Sequence, residues 1–449
     1  MPLLTKSNLH QYQIDIIEKA VKLKSCALYL TMGLGKTTIA LSVIAEKKPK
    51  KTLIIAPLQV ARNVWHKEAA NWEHLKHLSV VRVLGSEKQR TELLKEKADV
   101  YVTNYESIAW LSLRGLLKQF DMIVFDESSR LKAPNTLRFK TLKKEYKLKS
   151  YDTILLSGTP TPNTIADLWS QIGLLDKGQR LETSLGKFRE KFMMPGQRNR
   201  HTGMVYKWEP KPTALQEVSE KIKDIAFSMD AKDYLTLPKE LPVFHELSLS
   251  NNVMGSYKQL KQDLVSELGG QQITAVNAAS ALTKLLQVTS GAVYDEDRNV
   301  VQVHSDKIEF ISELLESVDE PVLMFYNFNH SLTRIQKAFP DAQLVNEQTI
   351  DLWKKGKIKM LIGHPQSIGE GLNLQNNSAP MAHIVWFDLF FSSSLYQQGN
   401  ARILRQGQNV PVMIHHMIAK DTVDEHVLKV LTGKIDVQNA MMEALKFIL

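Results

Sequence analysis

The sequence predicts an α/β protein of two lobes with parallel sheets, separated by helical insertions. Three observations carry that expectation. Over the first 175 residues, short apolar runs rich in Ile, Leu and Val alternate with helical patterns. The runs lack period-2 alternation, which marks strands buried on both faces, as in a parallel sheet. The alternation stops near residue 176 and returns from Pro321. Repeated strand–helix alternation implies layered α/β domains.

In the first lobe the strands are expected at Thr52–Pro57, Asp99–Thr103, Met122–Phe125 and Thr153–Leu156. Amphipathic helices are expected at Lys36–Lys47 and Val60–Trp72. Residues 176–300 read as mostly polar or helical. Gly178, Pro195-Gly196, Gly203, Pro210 and Pro212 punctuate this middle, and Gly269-Gly270 breaks a helical pattern. Leu235–Pro242 (LTLPKELP) has the composition of a linker. Arg198, Arg200 and His201 could meet a phosphate backbone, although such runs are more often solvated loops. In the second lobe the strands are expected at Val322–Tyr326, Lys359–Ile362, His383–Phe387 and Val412–Met417. The lobes are therefore expected at 1–240, with a helical insertion in about 176–225, and 241–449, with one in about 250–300.

Composition narrows the function classes. The chain has 449 residues, 43% hydrophobic and 23% charged, which excludes low-complexity disorder, collagen and coiled-coil fibres. A single cysteine, Cys26, allows neither an internal disulfide nor a zinc cluster, and suits a reducing compartment. Lys and Arg number 57 against 48 Asp and Glu, a formal charge of +9 that permits a polyanionic partner. The start of the chain lacks an apolar signal region, and no run reaches the roughly 18 apolar residues a membrane span needs. A soluble, cytoplasmic monomer with no membrane association is expected. The basic run Lys47–Lys51 reads as a solvated loop rather than a nuclear address.

Chemistry concentrates at the ends of the apolar runs. Met32-Gly33-Leu34-Gly35-Lys36-Thr37 follows the run CALYL and opens a helix. Glycines there let backbone N–H groups turn toward phosphate oxygens, and the helix N-terminus adds positive potential. Lys36 would hold the β- and γ-phosphates, and the Thr37 hydroxyl would ligate Mg²⁺. Asp126-Glu127 follows MIVF. Two carboxylates at the end of a buried strand need a positive partner, and a metal-bound nucleotide is one. Asp126 would hold Mg²⁺, and Glu127 would activate the attacking water. Ser157-Gly158-Thr159-Pro160 follows TILL, at the strand edge where ligands collect in open parallel sheets. In Gln398–Gln408, Arg402 and Arg405 are three apart, which predicts a shared helix face. A second lobe without a phosphate loop of its own has a reason to exist if it supplies such arginines to the transferred phosphoryl group. Gly369-Glu370-Gly371, with Asn373 and Gln375, would form a second tight loop nearby.

In this order the stretches resemble the Swi/Snf-type DNA translocases, the remodeller-like branch of helicase superfamily two. MGLGKT is similar to that family's motif one, DESS to motif two, SGTP to motif three, GEGLNL to motif five and QGNARILRQGQ to motif six. LHQYQ, APLQVARNVW, TNYE and LWSQIGLL are weaker echoes between them. The likeness runs from about Leu9 to about Leu431 and suggests a minimal bacterial or phage member. It implies two RecA-like lobes, and ATP hydrolysis coupled to movement along duplex DNA. It implies a nucleotide site of Gln13 (for adenine), Met32, Gly33, Leu34, Gly35, Lys36, Thr37, Thr38, Gly369 and Gly371. Catalysis would fall to Lys36, Glu127, Arg402 and Arg405, and DNA contacts to Arg62, Asn63, Thr103, Asn104, Asn327 and Asn373. One departure bears on coupling: the family's motif two usually ends in His, and Ser129 stands there. That keeps an ATP-gated clamp open as an alternative, beside a strand-separating DNA or RNA helicase.

Overall fold

The computed structural model describes residues 3–433 except 159, 162–163, 197–204, 206–207, 236, 270–274, 296 and 369–371, with backbone only at 232, 265–269 and 275–279. The chain divides into two compact units, Met1–Leu235 and Thr236–Leu449.

The first unit is built on β1 (Ser25–Leu30), β2 (Thr52–Ala56), β3 (Val80–Arg82), β4 (Val100–Asn104), β5 (Met122–Asp126) and β6 (Asp152–Ser157). A small antiparallel hairpin follows, β7 (Met193–Pro195) with β8 (Trp208–Pro210), and then β9 (Ala226–Met229). The seven-stranded sheet has the order β3-β4-β2-β5-β6-β1-β9, and all its pairings are parallel. β2 is buried throughout, and β1, β4, β5 and β6 are buried at all but one end residue. This two-sided burial is what the unbroken apolar runs encode.

The helices of this unit are α1 (Gln11–Lys22), α2 (Lys36–Lys47), α3 (Leu58–Asn63), α4 (Trp65–Asn71), α5 (Glu87–Leu93), α6 (Ser107–Leu113), α7 (Leu137–Leu148), α8 (Asp167–Asp176), α9 (Leu185–Phe192), α10 (Ala214–Ile222) and α11 (Ala231–Tyr234). α2 has the expected bounds but not the expected character. Every residue from Thr38 to Ala45 is buried, so it is a core helix rather than an amphipathic one. The helix expected over Val60–Trp72 is two short helices that meet at Val64.

The second unit holds a six-stranded parallel sheet, order β10-β17-β16-β13-β15-β14. Its strands are β10 (Glu240–Leu247), β13 (Val322–Phe325), β14 (Gln343–Leu344), β15 (Met360–Gly363), β16 (Ala382–Trp386) and β17 (Val412–Ala419), with a hairpin of β11 (Ala292–Tyr294) and β12 (Val300–Gln302). Around them run α12 (Asn251–Gly269), α13 (Ala275–Thr289), α14 (Asp306–Glu316), α15 (Asn329–Ala338), α16 (Glu347–Lys354), α17 (Pro365–Ile368), α18 (Ser393–Asn400) and α19 (Val423–Leu431). The linker expected at Leu235–Pro242 runs instead into β10, where Pro242 pairs with Ile414. β10 is an edge strand and alternates in burial, so proline costs little there. No described helix is long and apolar enough to cross a membrane.

Candidate active site

The loop between β1 and α2 is shaped by two glycines. Gly33 and Gly35 have φ of 93° and 74°, left-handed values that favour glycine. A side chain at Gly35 would also collide with the Gln13 carboxamide. Gln13 is buried on α1: its Oε1 accepts from His10 N at 2.9 Å, and its Nε2 donates to Leu34 O at 3.2 Å. Tyr12 Oη donates to the same carbonyl at 3.3 Å. α1 is thus latched to the loop through Leu34, itself fully buried. Lys36 Nζ donates to Leu30 O at 2.6 Å and Thr31 O at 3.3 Å. Thr37 sits half-buried in the first turn of α2, where backbone N–H groups lack intrahelical acceptors. The Thr38 hydroxyl is committed elsewhere: it is buried and donates to Glu68 Oε1, which also accepts from Trp72 Nε1 at 3.0 Å, so a nucleotide contact at Thr38 would fall to its backbone amide in the first turn of α2.

Two further strand ends meet this loop. β5 and β6 are adjacent, and β6 neighbours β1. A side chain at Gly158 would lie 3.7 Å from Lys36 Nζ, which puts the start of SGTP directly against the lysine. Asp126 ends β5, and its Oδ2 accepts from the indole of Trp65 at 3.1 Å. Burial, and then the neighbouring Glu127 charge, push its carboxyl up to about 7, against the pull of Lys36 and Trp65. A cation placed beside it would favour the ionised form. Glu127 has φ 58°, a left-handed conformation that costs a non-glycine residue about 1–2 kcal/mol. Tyr105 Oη holds that turn by donating to the carbonyls of Asp126 and Glu127, at 2.8 and 3.2 Å. Glu127 Oε1 accepts from Ser129 Oγ at 2.7 Å and Ser157 Oγ at 3.2 Å. The serine at the departing position therefore orients the carboxylate expected to activate water. Ser128 reaches Gln171 Oε1 at 2.8 Å, and Gln171 Nε2 reaches Pro160 O at 2.7 Å, so Gln171 ties motif two to motif three.

The expected nucleic-acid contacts are less uniform. Arg62 is exposed at the end of α3, and its neighbour Asn63 is half-buried. Asn104 is half-buried at the end of β4, with its amide bonded to Glu106 and Ser107. Thr103 is a correction. It is fully buried, and its hydroxyl is committed to Val83 O at 2.8 Å and Ser107 at 3.0 Å, so its side chain cannot touch a ligand.

In the second unit, Asn327 sits in the loop after β13, where its backbone amide is held by Asp388 Oδ2 at 2.7 Å. Gly369 and Gly371 lie outside the described residues, as do Thr159, Arg198, Arg200 and His201. The shared helix face expected for Arg402 and Arg405 is not there. α18 ends at Asn400, and both arginines lie in the turns that follow. Arg402 is buried, and its guanidinium donates to Gln398 O and Leu372 O at 3.1 and 3.3 Å. Arg405 is half-exposed. What organises these turns is a set of bonds to residues 372–377. Leu374 N donates to Arg402 O at 3.0 Å. Gln375 Nε2 donates to Arg405 O and Gln406 O at 3.3 and 2.7 Å. Gln408 and the backbone of Asn376 exchange two bonds, at 2.9 and 2.8 Å. Asn373 is bonded in both directions to Gln375.

Sequence reasoning missed Trp65, Tyr105, Gln171 and Gln408. Trp65 and Gln171 fall in strings that resemble the family, which is the signal that could have singled them out. Tyr105 is the tyrosine of TNYE, read only for its first residues.

The chain has relatives among known proteins. The SNF2-related domain family matches residues 14–292. Protein p41 of Acyrthosiphon pisum secondary endosymbiont phage 1 is 34% identical, over 97% of this chain and 98% of its own length. The uncharacterized ATP-dependent helicase YqhH of Bacillus subtilis is 23% identical, over 94% of this chain and 78% of its own length. The chain spans less than half the length of several longer relatives. A solved structure of the Sulfolobus solfataricus SWI2/SNF2 ATPase core in complex with dsDNA is 22% identical, with a TM-score of 0.45, covering 100% of this chain and 98% of that one. The chain belongs to the SNF2-related family, and it is a DNA-dependent ATPase of helicase superfamily two.

Proposed function

We propose that the protein is a motor that tracks along duplex DNA, driven by ATP hydrolysis in the presence of Mg²⁺. One observation carries the catalytic half of this: the Lys36 ammonium, bonded to the last carbonyl of β1, the Asp126–Glu127 pair and Ser157 gather at the ends of three adjacent strands, β1, β5 and β6. The donor set suits Mg²⁺, which takes one carboxylate plus phosphate oxygens and waters. Asp126 would hold the ion with the Thr37 hydroxyl, and the ion would neutralise charge on the phosphates. Lys36 would exchange its carbonyl partners for β- and γ-phosphate oxygens. The first-turn amides of α2, Thr38 among them, would cradle the phosphates. Glu127, aimed by Ser129 and Ser157, would take the proton of the attacking water. Gln13 would offer its carboxamide edge to adenine while still latched to Leu34. Arg405, and Arg402 if it leaves its carbonyl partners, would stabilise charge on the transferred phosphoryl group.

The duplex half rests on family likeness and on the polar side chains that the motif segments carry. Arg62, Asn63, Asn104, Asn327 and Asn373 would grip phosphates, with a grip sensitive to salt and indifferent to sequence.

The test is ATP turnover by the purified chain with no nucleic acid, single-stranded DNA, duplex DNA or duplex RNA. Duplex DNA should stimulate most. Lys36→Ala should abolish turnover, and Glu127→Gln should lower it about 10²–10⁴-fold. Full rates in both variants would overturn the site assignment. Stimulation chiefly by single strands or RNA would overturn the duplex assignment.

A further inference from the structure

We propose that the exposed face of α7 is a second binding surface for the backbone of duplex DNA, extending the grip at the end of β4 along the flank of the first unit. This rests on the duplex-DNA reading above and adds a surface outside every motif named there.

The charge of the chain is unevenly placed. Met1–Leu235 carries 39 Lys and Arg against 25 Asp and Glu, whereas Thr236–Leu449 carries 18 against 23. The basic surplus therefore belongs to the first unit alone, and α7 carries more basic residues than any other described helix of that unit. Its twelve residues, LRFKTLKKEYKL, hold Arg138, Lys140, Lys143, Lys144 and Lys147. The single acid, Glu145, is buried and accepts from Ser112 Oγ at 2.6 Å. Phe139, Leu142 and Tyr146 form the inner face. Lys140, Lys143, Lys144 and Lys147 are exposed and follow the i, i+3, i+4, i+7 spacing of one outer stripe.

Two simpler accounts fail on position. A solvated helix face normally intersperses signs, because like charges at i,i+4 destabilise a helix. Here Lys140–Lys144 and Lys143–Lys147 are both such pairs. Cations also suit a helix C-terminus, but Arg138 and Lys140 lie in the first turn, where the dipole opposes them. A polyanion lying along the stripe accounts for both.

The location identifies the polyanion. The first turn of α7 touches the end of β4. Arg138 lies 5.3 Å from the ring centre of Tyr105 and 3.8 Å from Glu106, directly after Asn104. From there the lysine stripe runs seven residues, about 10.5 Å of helix. That matches roughly three phosphates of one strand at 3.4 Å of rise. Lys177, at the C-cap of α8, lines the same shallow cavity as Lys143 and Lys147 and widens the positive surface. Glu182 also lines that cavity but is paired with Lys191, and toward the two ends of the helix Glu106 is paired with Arg138 and Asp121 with Lys149.

The test compares the wild-type chain with Lys140→Gln/Lys143→Gln/Lys144→Gln/Lys147→Gln in duplex DNA binding over a range of salt. Each phosphate that the variant no longer neutralises should lower the slope of log K against log salt by about 0.9. Two to four fewer neutralised phosphates, at about 0.9 of a decade each, should weaken binding roughly 60- to 4000-fold at 0.1 M salt. The paired variants Lys140→Gln/Lys144→Gln and Lys143→Gln/Lys147→Gln should each show about half the fall in slope, a graded effect that misfolding would not produce. An unchanged slope in the fourfold variant, with the wild type binding duplex DNA, overturns this assignment and leaves the motor reading standing. Loss of heparin binding with duplex binding intact also overturns it. A wild-type chain that binds no duplex at all overturns both.

Discussion

Replacing Asp126 with asparagine should make the nucleotide-free protein more stable while abolishing turnover. Burial and the Glu127 charge raise the Asp126 carboxyl from its ordinary 3.8 to about 7. Between those values the folded chain keeps a proton that the unfolded chain releases. Stability therefore falls as pH rises through that window and levels off above about 7. At about 1.36 kcal/mol per unit, the ceiling is roughly 4 kcal/mol. Asp126 keeps some solvent contact, which screens the charge, so about 1–3 kcal/mol is expected. Asparagine does not titrate, yet its Oδ1 can still accept the Trp65 indole N–H. Urea unfolding, followed by tryptophan fluorescence at pH 5 and pH 8, reads the difference. The gap between Asp126→Asn and wild type should widen from pH 5 to pH 8. Mg-ATP should narrow it by stabilising the wild type alone. A variant that unfolds no later than wild type at pH 8, or a gap independent of pH, would refute the reasoning.

Ser129→Ala removes the 2.7 Å donor to Glu127 and should lower kcat about tenfold, the worth of one hydrogen bond to a charged group, with little change in the KM for ATP. Steady-state kinetics on duplex DNA decides it. Gln375→Ala removes the side chain that accepts from Asn373 Nδ2 and donates to the Arg405 and Gln406 carbonyls. The DNA-stimulated rate should then fall several-fold more than the unstimulated rate, and an unchanged ratio would rule out a coupling role. Lys307→Met strands Asp424, fully buried and 3.1 Å from the ammonium, and should cost about 3–5 kcal/mol in urea unfolding. Adding Asp424→Leu should recover part of that loss.

The features legible in the sequence are those with one dominant physical cause. Central strands show as unbroken apolar runs because both faces are buried, so TLIIA, VYVTN, MIVFD and DTILLS needed no alternation to be seen. The phosphate loop shows because a left-handed turn before a helix selects Gly33 and Gly35. Edge strands were hidden. β3 and β9 are half-exposed, and β10 carries a proline that only an edge tolerates. Side-chain commitment was hidden as well. Nothing in TNYE says that Thr103 spends its hydroxyl on Val83 while Tyr105, two residues on, holds the strained turn at Glu127.

The arginine pair shows why spacing alone misled. Three residues apart is a helix argument, and it presumes that the helix continues. α18 stops at Asn400, and the following turns take their shape from amide side chains of another segment. Gln375 reads the carbonyls of Arg405 and Gln406, Gln408 and the Asn376 backbone satisfy each other, and Asn377 bonds Gly407 O and Asn409 N at 2.8 Å each. Bonds of this kind are directional and leave little slack. A displacement at Asn373 would therefore pass to the Arg405 backbone most directly through the Gln375 side chain, beside the Leu374–Arg402 bond, rather than through the packing of a helix. The distance from proposed DNA contact to proposed catalytic arginine is then one glutamine, and for that reason the Gln375 variant separates a coupled motor from an ATPase that merely binds DNA.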